Sequence, residues 1–269
     1  MVAILGGQPR PSNPSMPLSA LPAFQDNYIW VLSAPGAGSV VVDPGEPGPV
    51  LAAAAQGLVP ALLLLTHHHA DHIGGAAALL AQWPDLPVFA PQDPRIDLPC
   101  TRVADGDTVA VGPWHFEVLA VPGHTSSHVA FAGHGVLFSG DTLFSLGCGR
   151  LFEGTPAQML HSLDRLAALP GDTRVCCGHE YTLANTAFAT TVDPDNPALR
   201  RRILEAAAMR EREEPTLPTP LADELAANPF LRVDSAPVRD AVAGRLGRAP
   251  LDRVETFAEL RRWKDGFVA

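Results

Sequence analysis

A chain of 269 residues, 46% hydrophobic and 18% charged, is long enough for one large core plus a smaller domain, and its balance is globular rather than disordered. Its formal net charge of −10 disfavours a nucleic-acid groove, which needs a basic face, and no apolar run approaches the ~20 residues of a membrane helix. The start, MVAILGGQPRPSNPSMP, has neither the basic residues nor the apolar length of a signal peptide, so a cytoplasmic protein is expected, with proline-rich residues 1–16 as a disordered leader and Met16 as an alternative start.

The first strand-forming run is Tyr28, Ile29, Trp30 and Val31, and a hairpin turn at residues 35–38 leads into a second strand, Ser39 to Val42. Asp43-Pro44-Gly45 then puts a carboxylate at a strand end, where its expected role is to cap the turn or support a neighbouring loop rather than to ligate. Alanine-rich Leu51 to Gly57 reads as a helix. Ala61 to Leu65 has no polar face and suits a short strand buried on both sides. Thr66, His67, His68, His69, Asp71 and His72 follow within seven positions. In extended backbone His67 and His69 project to one side and His68 to the other. Asp71 and His72 fall where the chain turns toward Gly74-Gly75. Two imidazoles therefore face one point, while a carboxylate and a third imidazole face a neighbouring one, which is a layout for two adjacent metals. A terminal purification tag would not follow a buried strand at mid-chain.

Gly74 to Trp83 is predicted to be a second helix, Val88 to Ala90 a short strand, residues 91–99 a loop, and Asp105-Gly106-Asp107 a turn. One pattern then occurs three times: Phe116 to Val121 leads through Pro122-Gly123 to His124, Val136 to Ser139 through Gly140 to Asp141, and Val175 to Cys177 through Gly178 to His179. Each apolar run ends in a small, permissive residue and then a metal-capable side chain, so four strand ends deliver donors to one sheet edge. His128 reads chiefly as structural, with a hydrogen bond to a ligand as the alternative; His115, His134 and His161 read as surface or structural. Cys100, Cys148, Cys176 and Cys177 form no C-x-x-C pair and are expected to be reduced structural thiols.

Beyond Tyr181 the character changes. A break at residues 192–197 precedes a charged helix from Ala198 to Glu214, a proline-rich connector over residues 215–220, and helices over Leu221 to Ala227, Val238 to Arg245 and Asp252 to Lys264. No strand is evident there. The expected division is a catalytic domain over residues 17–181 and a helical domain over residues 182–269.

The order T-H-x-H-x-D-H, here Thr66 to His72, resembles the signature of the metallo-β-lactamase superfamily. The candidates collected along the chain are His67, His69 and His124, then Asp71, His72 and His179, with Asp141 shared between the sets. Imidazole and carboxylate without thiolate suit zinc, iron or manganese, zinc being the first expectation. A β-lactamase is disfavoured, because Asp141 stands where a cysteine would be expected.

Four further stretches narrow the resemblance to the glyoxalase II (hydroxyacylglutathione hydrolase) family. Cys148 to Thr155 is similar to G-C-G-[RK]-x-[FY]-E-G-T, and Gly178 to Thr182 to G-H-E-Y-T. Asn228 to Arg232 is similar to N-P-F-x-R, and Arg261 to Lys264 to the closing R-x-x-K. The resemblance implies an α/β fold, an αββα metallo-β-lactamase sandwich followed by a smaller C-terminal all-α domain. It implies hydrolysis of S-D-lactoylglutathione and related S-2-hydroxyacylglutathiones to the acid and glutathione, by a metal-bridging hydroxide, in methylglyoxal detoxification. His67, His69 and His124 would hold one divalent ion, Asp71, His72 and His179 a second, and Asp141 would bridge them. Asp71 and Asp141 are then the catalytic carboxylates. Arg150, Leu151, Phe152, His179, Glu180, Tyr181, Arg261 and Lys264 fall where the family meets its substrate. The expected partner is a small glutathione thioester and the expected state a monomer, with no nucleic acid and no membrane. Two positions depart from the family pattern: Phe152 stands where some members have tyrosine, and Ser127 where the loop after the histidine usually has glycine. The alternative is a persulfide dioxygenase-like mononuclear iron enzyme on the same fold, though that group generally lacks the helical domain and its R-x-x-K end. A non-catalytic metal-binding module would predict eroded ligands, and all seven are present.

Overall fold

The computed structural model describes residues 16–267. The expected leader lies outside the described residues except for Met16, which packs against the core. The first sheet holds β1 (Leu18–Ala23), β2 (Asn27–Ala34), β3 (Gly38–Val42), β4 (Pro60–Leu64), β5 (Val88–Pro91) and β6 (Thr101–Val103) in that order. Strands β1 to β3 alternate in direction, and β3 to β6 run parallel. The second sheet is built from β7 (Thr108–Val111), β8 (Trp114–Ala120), β9 (Val129–Gly133) and β10 (Val136–Gly140), followed, after the small β11–β12 ribbon (Leu143–Phe144 and Gly147–Cys148), by β13 (Arg174–Cys177) and β14 (Thr219–Pro220). In it β10 and β13 are parallel and the other neighbours antiparallel.

Period-two alternation explains the layering. On the first sheet Trp30, Leu32, Val40, Val42, Leu62 and Leu64 face inward, where they meet Trp114, Phe116, Phe131 and Phe138 of the second sheet. Their neighbours Ile29, Val31, Val41, Leu63 and Leu65 face outward, under α1 (Gly48–Ala55), α2 (Ala70–Ile73) and α3 (Ala76–Gln82). Leu119, Ala130, Leu137 and Val175 form the outer face of the second sheet, covered by α4 (Pro156–Ala167) and by helices from the C-terminal region. The central strands β2, β3, β4, β10 and β13 are thus apolar on both faces, as a sheet sandwiched between layers requires. The order is helix, sheet, sheet, helix.

The C-terminal region holds α5 (Thr182–Val192), α6 (Pro197–Glu211), α7 (Leu221–Ala227), α8 (Ala236–Leu246) and α9 (Arg253–Asp265). Phe188, Val242, Phe257 and Leu260 from these helices share one apolar cluster with Met159 and Leu163 of α4.

Three local expectations change. The helix predicted over residues 74–83 begins two residues later, as α3, and a further short helix, α2, precedes it, the two separated by Gly74-Gly75. A Cβ on Gly75 would lie 2.5 Å from the Glu46 carbonyl carbon, and one on Gly74 2.6 Å from the Gly45 oxygen, so these glycines let the segment press onto the turn after β3. The proline-rich connector contributes β14, with Thr219 opposite Val175. Helix α5 was not foreseen. Its threonines return hydroxyl bonds to carbonyls one turn back, Thr190 to Thr186 and Thr191 to Ala187, so a helix-poor composition is carried by burial of Phe188, Ala189 and Val192.

Candidate metal centre

Parallel strands end on the same edge, so β3 and β4 of one sheet and β10 and β13 of the other bring Asp43, the 66–72 turn, Asp141 and His179 together; the loop after β8 adds His124. His69 Nδ1 lies 3.1 Å from His67 Nε2 and 3.0 Å from His124 Nε2. His72 Nε2 lies 3.3 Å from His179 Nε2, and these sit 3.5 and 3.4 Å from Asp71 Oδ2. Asp141 stands between the groups, with Oδ1 3.3 Å from His72 Nε2 and Oδ2 3.4 Å from both His124 Nε2 and His179 Nε2.

The other face of four rings fixes their tautomers. His72 Nδ1 donates to Asp43 Oδ2 at 2.9 Å, His179 Nδ1 to Asp26 Oδ1 at 2.9 Å, and His124 Nδ1 to the Arg150 carbonyl at 2.9 Å. Thr66 Oγ1 gives its proton to Asp43 Oδ2 at 2.6 Å and so accepts from His67 Nδ1 at 3.0 Å. Each ring in its neutral form therefore turns a bare Nε2 lone pair inward. Lone pairs cannot satisfy one another, and the buried Asp141 Oδ1 has no hydrogen-bond partner. A cation satisfies all of them.

The electrostatics agree. Burial, reinforced by neighbouring imidazoles, holds His67 well below its ordinary pKa and His69 at about 4, and it lowers His124 as well, so these rings are neutral at pH 7, their ligating form. Burial would also lower His72, but the Asp141, Asp43 and Asp71 carboxylates outweigh it and lift His72 to about 9. Burial opposes the Asp141 charge, yet His72, His179 and His124 draw its pKa far down. The centre selects positive charge.

A cavity of about 520 Å³ opens beside the two groups. Phe144 and Cys148 of the ribbon, Tyr181, Ala184, Asn185, Arg150, Arg261, Lys264 and Phe267 also line it. Phe152, 63% exposed, stands over the His69 and His124 rings at 5.7 and 5.1 Å. Tyr181 stacks on His179 at 4.7 Å.

The metallo-beta-lactamase superfamily model matches residues 22–179, and that of the hydroxyacylglutathione hydrolase C-terminus matches residues 180–267. The hydroxyacylglutathione hydrolase of Xanthomonas euvesicatoria pv. vesicatoria is 60% identical over 253 residues, 94% of this chain and 99% of that protein. The chain belongs to the hydroxyacylglutathione hydrolase family of the metallo-β-lactamase superfamily. Among solved structures, ETHE1 from Myxococcus xanthus aligns with a TM-score of 0.62 at 24% identity over 93% of this chain and 91% of its own, a likeness of fold. TTHA1623, solved in a di-iron-bound form, aligns with a TM-score of 0.50 at 35% identity over 60% of this chain and 91% of its own.

Within this hydrolase family centre all seven expected donors, His67, His69, Asp71, His72, His124, Asp141 and His179, converge. The residues expected to meet substrate divide. Arg150, Phe152, His179, Tyr181 and Lys264 line the cavity. Arg261 also lines it but is only 5% exposed, and it is committed to other partners: Nη1 donates to the Cys148 carbonyl at 2.7 Å, and Nε and Nη2 donate to Asp265 Oδ1 at 3.2 and 2.9 Å. Glu180 does not reach the cavity; its carboxylate accepts from Tyr28 Oη, Thr216 N and Thr216 Oγ1 at 2.9, 2.8 and 2.7 Å. Leu151 turns its side chain into the apolar cluster under the second sheet.

Sequence reasoning missed Asp26, and Asn27, whose Nδ2 donates to Asp71 Oδ2 at 3.0 Å. The available signal was a polar pair opening an otherwise apolar strand. His128 takes the role held as its alternative, accepting the Asp141 N–H on Nε2 at 3.1 Å.

Proposed function

We propose that this chain hydrolyses S-2-hydroxyacylglutathiones, S-D-lactoylglutathione among them, to the hydroxy acid and glutathione. The carrying observation is two sets of inward donors sharing one carboxylate, beside a cavity that the basic Arg150 and Lys264 also line. His67, His69 and His124 would hold one divalent ion, Asp71, His72 and His179 a second, and Asp141 both. The di-iron form of TTHA1623 supports the count, and the imidazole–carboxylate donors suit zinc, iron or manganese. When bound, such ions polarise a carbonyl oxygen and make water nucleophilic at neutral pH.

The chain's own residues supply the rest. Lys264 and Arg150 attract the glutathione carboxylates, and Phe144, Phe152 and Tyr181 wall the thioester against the centre. Asn27 fixes Asp71 through Oδ2, and Asp43 and Asp26 keep His72 and His179 in their ligating tautomers. No side chain is needed as general acid, because a thiol with a pKa near ~8.5 leaves as thiolate. The division into residues 17–181 and 182–269 is supported by the two family models meeting at residues 179 and 180. Four free cysteines support a reducing compartment, the cytoplasm, and the charge of −10 speaks against nucleic acid. Among the described residues no helix is long and apolar enough to cross a membrane.

The persulfide dioxygenase-like reading has less support, since the C-terminal family model spans residues 180–267. Turnover of S-D-lactoylglutathione with metal analysis on the same sample tests the proposal. Thiol release with two ions per chain is expected. One iron per chain, with oxygen uptake on glutathione persulfide and no thioester cleavage, would sink it.

A further inference from the structure

One ionic cluster beside the centre belongs to neither donor set. Asp93, in the loop after β5, is only 2% exposed, and Arg95 wraps it: the Arg95 backbone N–H and Nε donate to Oδ1 at 2.9 and 2.8 Å, and Nη2 donates to Oδ2 at 2.7 Å. The other side of the guanidinium grips Glu153, through Nη1 and, at 3.3 Å, Nη2. Both carboxylates reach on. Ser127 Oγ donates to Asp93 Oδ2, Ser126 N and Oγ donate to Glu153 Oε2 at 2.7 and 2.9 Å, and His68 Nδ1 lies 3.4 Å from Asp93 Oδ2.

The tied segments are those that carry the first donor set. His68 separates His67 from His69, Ser126 and Ser127 follow His124, and Glu153 follows Phe152, which covers the His69 and His124 rings. The second set is braced directly, by Asp43 on His72 and Asp26 on His179. Among the described residues, the hydrogen bonds behind the first set come from the Thr66 hydroxyl and the Arg150 carbonyl, and no carboxylate touches its rings from behind.

We infer that Arg95 is a positioning residue for the first donor set, its fork fixing the 67–69, 124–127 and 150–154 segments against one another. This rests on the two-set reading above. Exposed ion pairs contribute little, but here a buried carboxylate would lose its counter-charge. A fork with two bidentate grips is also something lysine cannot reproduce. Ser127, the departure from the glycine pattern, becomes a further donor to Asp93.

The full-length chain is loaded with zinc, and each equivalent's affinity is read by chelator competition, beside the thermal midpoint. Arg95→Met is expected to weaken one equivalent about ten-fold, the lower end for residues supporting ligands, and to leave the other unchanged. Arg95→Lys should fall between parent and Arg95→Met, and Glu153→Gln, which loosens the same grip from its more exposed side, should weaken the same equivalent if Arg95→Met does not fold. Parent affinity at both equivalents in Arg95→Met or, failing its folding, Glu153→Gln overturns the inference even where the midpoint drops. A parent that holds fewer than two equivalents overturns the two-set reading itself.

Discussion

Asp141 is held from its backbone as well as through its carboxylate. Its N–H donates to His128 Nε2, and the His128 ring lies over His67 at 4.6 Å, stacked to within 18°. His128 thus links a donor of the first sheet to the shared carboxylate of the second. His128→Phe keeps the stack and removes the acceptor, leaving a buried N–H at a cost of about 1–3 kcal/mol. Zinc per chain should fall while the far-ultraviolet spectrum is unchanged, and His128→Gln, which keeps an acceptor, should restore most of it; equal zinc in Phe and parent forms would refute the link. Asp141→Asn is expected to act more strongly, lowering metal content and removing most turnover in a folded protein, as assayed by metal analysis with thiol release. These donors were legible in sequence because each follows an apolar run at a strand end. Asp26 and Asn27 were not, because their approach to His179 and Asp71 depends on the start of β2 in the first sheet meeting the segment after β13 in the second, where Asn27 pairs with His179, a contact no local pattern announces.

Helix α9 does two jobs at neighbouring positions. Arg261 is spent inside the protein, holding Cys148 of the ribbon and Asp265, whereas Lys264 Nζ donates to the Ala184 carbonyl at 3.1 Å and lines the cavity. The i, i+3 spacing showed that both share a face, but it could not show which side chain the ribbon would claim. Likewise β14 escaped notice because two residues have no period. Lys264→Met should raise KM about ten- to a hundred-fold with kcat nearly constant, since a contact remote from the thioester acts equally on ground and transition states. Arg261→Met should also lower the melting temperature, because it frees the ribbon. Half-burial, then Arg261 and Arg150, pull the Lys264 pKa below its ordinary 10.5. A lowered lysine pKa means the ammonium is lost earlier as pH rises. KM of the parent should therefore climb on the alkaline side before pH 10.5, and that of Lys264→Met should be high and flat; parallel profiles would remove Lys264 from the substrate site.

At the scale of the molecule, the two donor sets are seams between the sheets. His67, His69, Asp71 and His72 all follow β4, in the first sheet, whereas His124, Asp141 and His179 follow β8, β10 and β13 in the second. Each set mixes the two sources, so any ion bound there cross-links the sandwich at its open edge. The rest of that interface is apolar, with Trp30, Leu62 and Leu64 against Phe116, Phe131 and Phe138, and it needs no metal to form. The layer order came from the family resemblance, because strands apolar on both faces announce burial but not which layer covers each face; closure at the edge was readable through the donors themselves. A ligand that binds only the native state at a thousand times its Kd stabilises by about 4 kcal/mol. A chain of this size shifts by roughly 2–4 °C per kcal/mol, so stripping one such ion should lower the melting temperature by roughly 8–16 °C and stripping both by about twice that. The secondary structure at 25 °C should survive, because the apolar seam remains. The measurement is a melt of loaded and chelated samples with metal content determined on each, and coincident melts at different metal content would mean that the donors do not tie the two sheets together.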